Sequence, residues 1–266
     1  VREFEPVKFS EAYDLANVVW SYFFEWNMPE EFGALLNVRC EDLALRLVKP
    51  HKDSALHLFL RRFYTMNYIW EFERSRDDML NLIIQEYEAV LQYNTIPYRR
   101  SELPLEQDVN YERLAKRRIS YLRKKLPVDR IAQDTFQLLF RDRAFLLRFN
   151  DRLSQSVRSL ASLRTSGLVT RNGTLRRARL PAWLRRGIFY RDNGRCVSCG
   201  SDLTGLMFNG PAVHYDHIVP LAAFGSNDPT NFQLLCSRCN LRKSTHPRTW
   251  ERYPVFWGAT PSKRAS

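Results

Sequence analysis

The stretch His214-Tyr215-Asp216-His217-Ile218-Val219-Pro220 lies between Cys196-x-x-Cys199 and Cys236-x-x-Cys239, and Asn240-Leu241-Arg242-Lys243 follows the second pair at once. Residues 213–219 are β-branched and aromatic enough for a strand, and residues 231–235 suit a second. Ser237 suits an N-cap for a helix from Arg238 onward. That order, strand, strand, helix, sets Asn240 in the first helical turn and Lys243 three residues later on the same face. Two kinds of metal chemistry share this short segment. Four thiolates are spaced for a structural zinc, and an Asp, a His and an Asn are placed for a hydrolytic metal.

The cysteines come first. Each Cys-x-x-Cys turn presents two sulfurs, and the 36 residues between Cys199 and Cys236 can loop back to close a tetrahedral site. A closed site has no position for water, so the zinc on Cys196, Cys199, Cys236 and Cys239 is structural. Two disulfides are the competing arrangement. Five cysteines, an odd number, fit reduced and metal-bound thiols better than a secreted framework, which points to the cytoplasm. Cys40 stands alone and reads as a small buried hydrophobe.

Upstream of the module the charge becomes one-sided. Between Arg152 and Arg191 there is no Asp or Glu, and ten arginines occur, among them Arg176, Arg177, Arg179, Arg185 and Arg186. Uncompensated charge over such a length repels itself unless an anion lies nearby, and contact with a DNA backbone is the expectation. Ser166-Gly167 and Asn172-Gly173 mark turns in a basic linker. A second basic segment, residues 113–125, could extend the track. The whole chain carries +12, which suits a polyanion, with an anionic membrane surface as the competitor. No apolar run approaches the ~20 residues needed to span a bilayer.

Residues 10–163 carry apolar side chains at helical spacing. Phe59, Phe63, Met66 and Trp70 form one stripe; Leu80, Ile83, Ile84, Tyr87 and Leu91 form a second; Ile131, Leu138 and Phe145 mark a third at seven-residue steps. Pro29, Pro50, Pro97, Pro104 and Pro127 punctuate them, with Glu30-Glu31 after Pro29 reading as a first turn. No phosphate loop or catalytic cluster appears there, and the lone His51 and His57 read as structural or solvated. The fold class is therefore mainly α with a small α+β module. The expected organisation is a helical, bundle-like domain over residues 1–165 for targeting, regulation or partner binding, a basic linker at 166–180, the metal module at 181–250 and a tail at 251–266.

The module resembles the HNH endonuclease family, whose core is the ββα-metal fold. The likeness spans about residues 181–244 and rests on Leu184-Arg185-Arg186, on Tyr190-Arg191-Asp192-Asn193-Gly194-Arg195-Cys196, on Asp216-His217-Ile218-Val219-Pro220-Leu221, on Asn231-Phe232-Gln233-Leu234-Leu235-Cys236 and on Cys239-Asn240-x-x-Lys243. The resemblance implies phosphodiester cleavage. Asp216 and Asn240 would supply oxygens to one divalent ion, Mg²⁺ or Mn²⁺, and His217 would be the general base. Asn231 matches the family's middle Asn, which bridges the loop and orients the base, and Lys243 could pair with a phosphate. His214 shares a strand face with Asp216 and could either assist the metal or point to solvent; His246 reads as a tail residue.

The expected function is a metal-dependent endonuclease acting on DNA, in the manner of a bacterial defence or restriction effector aimed or released by a partner protein. A non-catalytic, zinc-stabilised nucleic-acid-binding module, or a partner-interaction protein, is the alternative.

Overall fold

The computed structural model describes residues 10–25, 41–74, 77–99, 110–159, 169–205 and 213–250, with side chains at 67–79 left aside. Pro29 with Glu30-Glu31, Cys40, Pro104, the Trp70 side chain and the tail at 251–266 lie outside the described residues. The described part is mostly helical: α1 (Ser10–Phe24), α2 (Glu41–Val48), α3 (Ala55–Arg74), α4 (Asp77–Tyr93), α5 (Tyr111–Arg123), α6 (Val128–Leu139), α7 (Arg143–Ser159) and α8 (Ala182–Arg191). A two-stranded sheet, β1 (Val213–His217) and β2 (Phe232–Cys236), follows and runs into α9 (Ser237–Lys243). None of the described helices is long and apolar enough to cross a membrane.

The chain forms two compact units, Val1–Ser21 with His57–Leu138, and Tyr22–Leu56 with Leu139–Ser266. The helices α2 and α7 thus belong to the same unit as the metal module.

In the first unit, Leu80, Ile83, Ile84, Tyr87 and Leu91 on α4 are all buried, as are Ala115, Ile119 and Leu122 on α5. Both sets recur at helical spacing, so each helix turns one apolar stripe inward. Arg118 pairs with Glu88 and lies over the rings of Tyr98 and Tyr121, one basic residue of the 113–125 segment with a structural use. On α3, Phe59 and Phe63 are buried but Met66 is 53% exposed, so that stripe ends a turn early. The third stripe divides between two helices. Residues 140–142 interrupt it, because Asp142 accepts a hydrogen bond from Phe145 N (2.9 Å) and starts α7 anew.

The second unit holds two apolar clusters. Phe23 packs edge-on against Phe145 and Phe149, each fully buried ring stabilising by roughly 2–3 kcal/mol. Around the sheet, Leu184 and Ile188 of α8 meet Phe232, Leu234 and Leu235 of β2 and the first cysteine loop. The strands are antiparallel with Asp216 opposite Gln233 and His217 opposite Phe232. The first strand stops at His217, shorter than the expected 213–219, and the second begins after Asn231, which sits in a 3-10 turn. The helix cap also differs by one residue: Cys236, not Ser237, accepts from Cys239 N through its sulfur.

Asp192, at the end of α8, joins these parts. Its buried carboxylate accepts from Leu234 N (2.9 Å) on β2 and from both Nε and Nη2 of Arg191 (2.9 Å each). Arg191 continues to Phe232 O and over the Phe140 ring, so this arginine of the basic track is spent on the fold.

Candidate metal centre and catalytic site

The four cysteine sulfurs of Cys196, Cys199, Cys236 and Cys239 lie within 4.8 Å of one another, and Cys199 and Cys236 are 3.8 Å apart. A tetrahedron with Zn–S bonds of ~2.3 Å has edges of ~3.8 Å, so the cluster has the dimensions of a zinc site. No sulfur pair is bonded. Burial and the neighbouring sulfurs push Cys236 up to about 12 and raise Cys196. Burial also raises Cys199, but hydrogen bonds with Ser201, and after it with Cys196 and Cys239, outweigh it and bring that thiol to about 6. A dication at the centre would supply the charge that lets all four ionise.

Successive residues of a strand project to opposite faces, and the contacts follow that rule. His214 and Asp216 face α9. His214 Nε2 is 3.1 Å from Ser237 Oγ, and His214 Nδ1 is 3.3 Å from Asn240 Nδ2. Asp216 Oδ2 accepts from Lys243 Nζ (2.9 Å) and from its cross-strand neighbour Gln233 (3.4 Å). His214 is therefore half-buried and engaged, not turned freely to solvent. These contacts use Oδ2 of Asp216 and Nδ2 of Asn240, which leaves Oδ1 of each as a hard donor suited to a divalent cation.

Lys243 has a different place from the phosphate contact expected of it. Its side chain is buried, 3% of the residue being exposed, and its ammonium donates to Asp216 Oδ2 and to His217 O (2.7 Å). His246 sits just beyond, its Nδ1 3.3 Å from Lys243 O.

His217 projects to the other face. It is 1% exposed, packs against the Phe232 ring (4.4 Å between centroids) and meets Asn227 Oδ1 through Nε2 at 3.2 Å. Its Nδ1 is buried with no partner among the described residues. Burial is the first cause that lowers its pKa, to about 4, with the Arg177 charge adding to it; Asn227 and Asp216 act the other way. The imidazole is neutral near pH 7, and a phosphate anion beside it would raise it toward the range useful to a base.

The loop between the strands is closed by polar side chains. Asn231 Oδ1 accepts from Val219 N (2.8 Å), and its Nδ2 donates to Val219 O (2.9 Å) and Ser226 O (2.8 Å). Asp228 accepts from Thr230 and from Ala55 N (2.6 Å), capping α3, whose own first turn carries no acid. Gly225 is required here because an added Cβ would lie inside the Val219 carbonyl. Asn227 and Asp228 belong to none of the sequence motifs, and Gln233 enters only as part of the stretch 231–236. The polar run Asn227-Asp228-Pro229-Thr230-Asn231 has the composition of a self-bonding loop, which is the signal that could have marked the first two.

Of the arginines expected at DNA, Arg176, Arg177, Arg179, Arg185 and Arg186 are all exposed. Residues 196–246 match the family model described as HNH endonuclease, so the chain carries an HNH endonuclease domain. No curated protein and no solved structure matches the chain.

Proposed function

We propose that the protein is a metal-dependent endonuclease that hydrolyses DNA phosphodiester bonds with His217 as general base. The observation that carries this reading is a buried imidazole, its pKa lowered by burial, with a ring nitrogen that has no partner among the described residues, adjacent in the chain to Asp216 and within the HNH match. His217 takes a proton from water as the water oxygen bonds to phosphorus and the P–O3′ bond breaks. Asp216 and Asn240 are the residues that would hold Mg²⁺ or Mn²⁺. Such an ion, when bound, neutralises charge on the phosphoryl and leaving oxygens. Zinc held by the four cysteines would fix β2 and the start of α9, which carry Gln233 and Asn240. Exposed Arg176, Arg177, Arg179, Arg185 and Arg186 supply backbone contacts to DNA.

Targeting or release by a partner protein, in restriction or phage defence, would use the helical segments outside residues 196–246; this step is analogy to other nucleases of the kind. A second reading, a zinc-stabilised nucleic-acid-binding module without catalysis, is favoured by the Lys243 ion pair with Asp216 and by the burial of His217. Supercoiled plasmid incubated with Mg²⁺ or Mn²⁺ separates the two. Relaxation or linearisation by the native chain, abolished by EDTA and by His217→Ala, is expected. DNA binding without cleavage under every metal condition selects the second reading.

A further inference from the structure

A neutral imidazole has two forms, with the proton on Nδ1 or on Nε2, and only the unprotonated nitrogen can accept one. We infer that Asn227 is a positioning residue that fixes His217 as the Nε2–H form, leaving Nδ1 as the accepting atom. The inference rests on the reading of His217 as the base.

Asn227 is fully buried, and backbone partners engage its N–H and both ends of its carboxamide. Its N–H donates to Leu47 O (2.8 Å), and its Nδ2 donates to Val48 O (2.8 Å) and to Arg176 O (2.8 Å). Its Oδ1 accepts from Ala178 N (3.2 Å) and faces His217 Nε2 (3.2 Å). Turning the carboxamide over would set its oxygen against two carbonyls and its NH₂ against the Ala178 N–H. Three backbone groups therefore decide which end meets the imidazole, and an oxygen can only accept. Nε2 must carry the hydrogen. The lone pair is left on Nδ1, the buried nitrogen with no partner among the described residues.

The carbonyls of Leu47 and Val48 lie at the C-terminal end of α2, where a helix leaves its last C=O groups without partners of its own. Asn227 supplies donors to both. Residues 47–48 and 176–178, all outside the HNH match, thus set the protonation geometry of a side chain inside it. That coupling gives the helical segment a part in catalysis without contact with substrate.

The test is a long-range ¹H–¹⁵N spectrum of the full-length, zinc-loaded protein labelled at its five histidines. It is recorded at about pH 8, where imidazole is neutral, with His217 assigned by its loss in His217→Gln. The expected spectrum shows His217 protonated at Nε2 alone. Protonation at Nδ1, or an average of the two forms, in the native protein overturns the proposal, and this outcome needs no variant to fold. Asn227→Ala is expected to mix the two forms and to lower kcat by about 10–100-fold. Asn227→Asp keeps an oxygen toward Nε2 and should retain the native form, although both variants lose the bonds to Val48 and Arg176. Mixing in both, or in neither, refutes the role given to the oxygen. Cleavage that survives in His217→Gln would remove the base itself and leave the spectrum to decide the form independently.

Discussion

Replacing Asp228 should loosen the loop between the strands and the helix it caps together. Its Oδ2 accepts from Ala55 N at 2.6 Å, and its Oδ1 accepts from Thr230 N at 2.9 Å and from Thr230 Oγ1 at 2.6 Å, all within a fully buried site. Alanine removes three bonds to a charged acceptor and strands two backbone N–H groups, each costing ~1–3 kcal/mol when buried without a partner. Against this, burial raises the carboxyl's pKa, so removing it relieves some desolvation cost. The balance is a loss of about 3 kcal/mol, with the cap alone accounting for about 1 of it. Urea unfolding of native protein and Asp228→Ala measures the difference directly; in a thermal scan it corresponds to about 6–12 °C. Asp228→Asn should cost less, roughly 1–2 kcal/mol, because its oxygen can keep Ala55 N while Thr230 Oγ1 turns to accept from the new amide. An alanine variant within 1 kcal/mol of native (~1 being the cap by itself), or an asparagine variant worse than alanine, would refute the reasoning.

Stability should fall in acid through His217, which protonates near 4 folded and near 6.5 unfolded. The unfolded chain binds the extra proton in that window, so the contribution is complete above 6.5 and is lost as the pH falls through 4, by about 3 kcal/mol. The stability difference between native and His217→Gln should slope across this range; a flat difference contradicts it. Gly225→Ala forces a Cβ into the Val219 carbonyl and should lower both stability and cleavage, as read by circular dichroism melts and plasmid relaxation. Lys243→Met removes the ammonium from Asp216, so it should destabilise the metal-free chain by roughly 3 kcal/mol yet enlarge the thermal shift produced by Mn²⁺. Equal Mn²⁺ shifts in both proteins would show that Asp216 is not a ligand. Alanine at Arg176, Arg177 and Arg179 should reduce the salt slope of DNA binding by about 2–3, checked by titration at several salt concentrations.

The thiolate cluster and the order of strands and helix could be read directly from the chain, because metal ligands and strand periods are local patterns with fixed spacing. Cys196 with Cys199 and Cys236 with Cys239 pair by short turns, and residues 213–217 and 232–236 carry the apolar and aromatic side chains that suit strands. The long apolar stripe on α4 was equally plain, since burial every third or fourth residue needs no knowledge of the partner. Residues with several physically sensible uses were not decided that way. Lys243 suits a phosphate or a carboxylate, and only the approach of α9 to β1 gave it Asp216. The arginine track looked uniform, yet Arg191 was taken up by Asp192, Phe232 and Phe140. Asn227 carried no motif at all. What makes it matter is that α2, residues 176–178 and the strand end arrive at one buried carboxamide, and such convergence is a property of distance in space. Sequence spacing fixed which chemistries the chain can perform; long-range packing decided which polar atom each functional side chain must satisfy, because a buried donor or acceptor takes whichever partner the fold brings within reach.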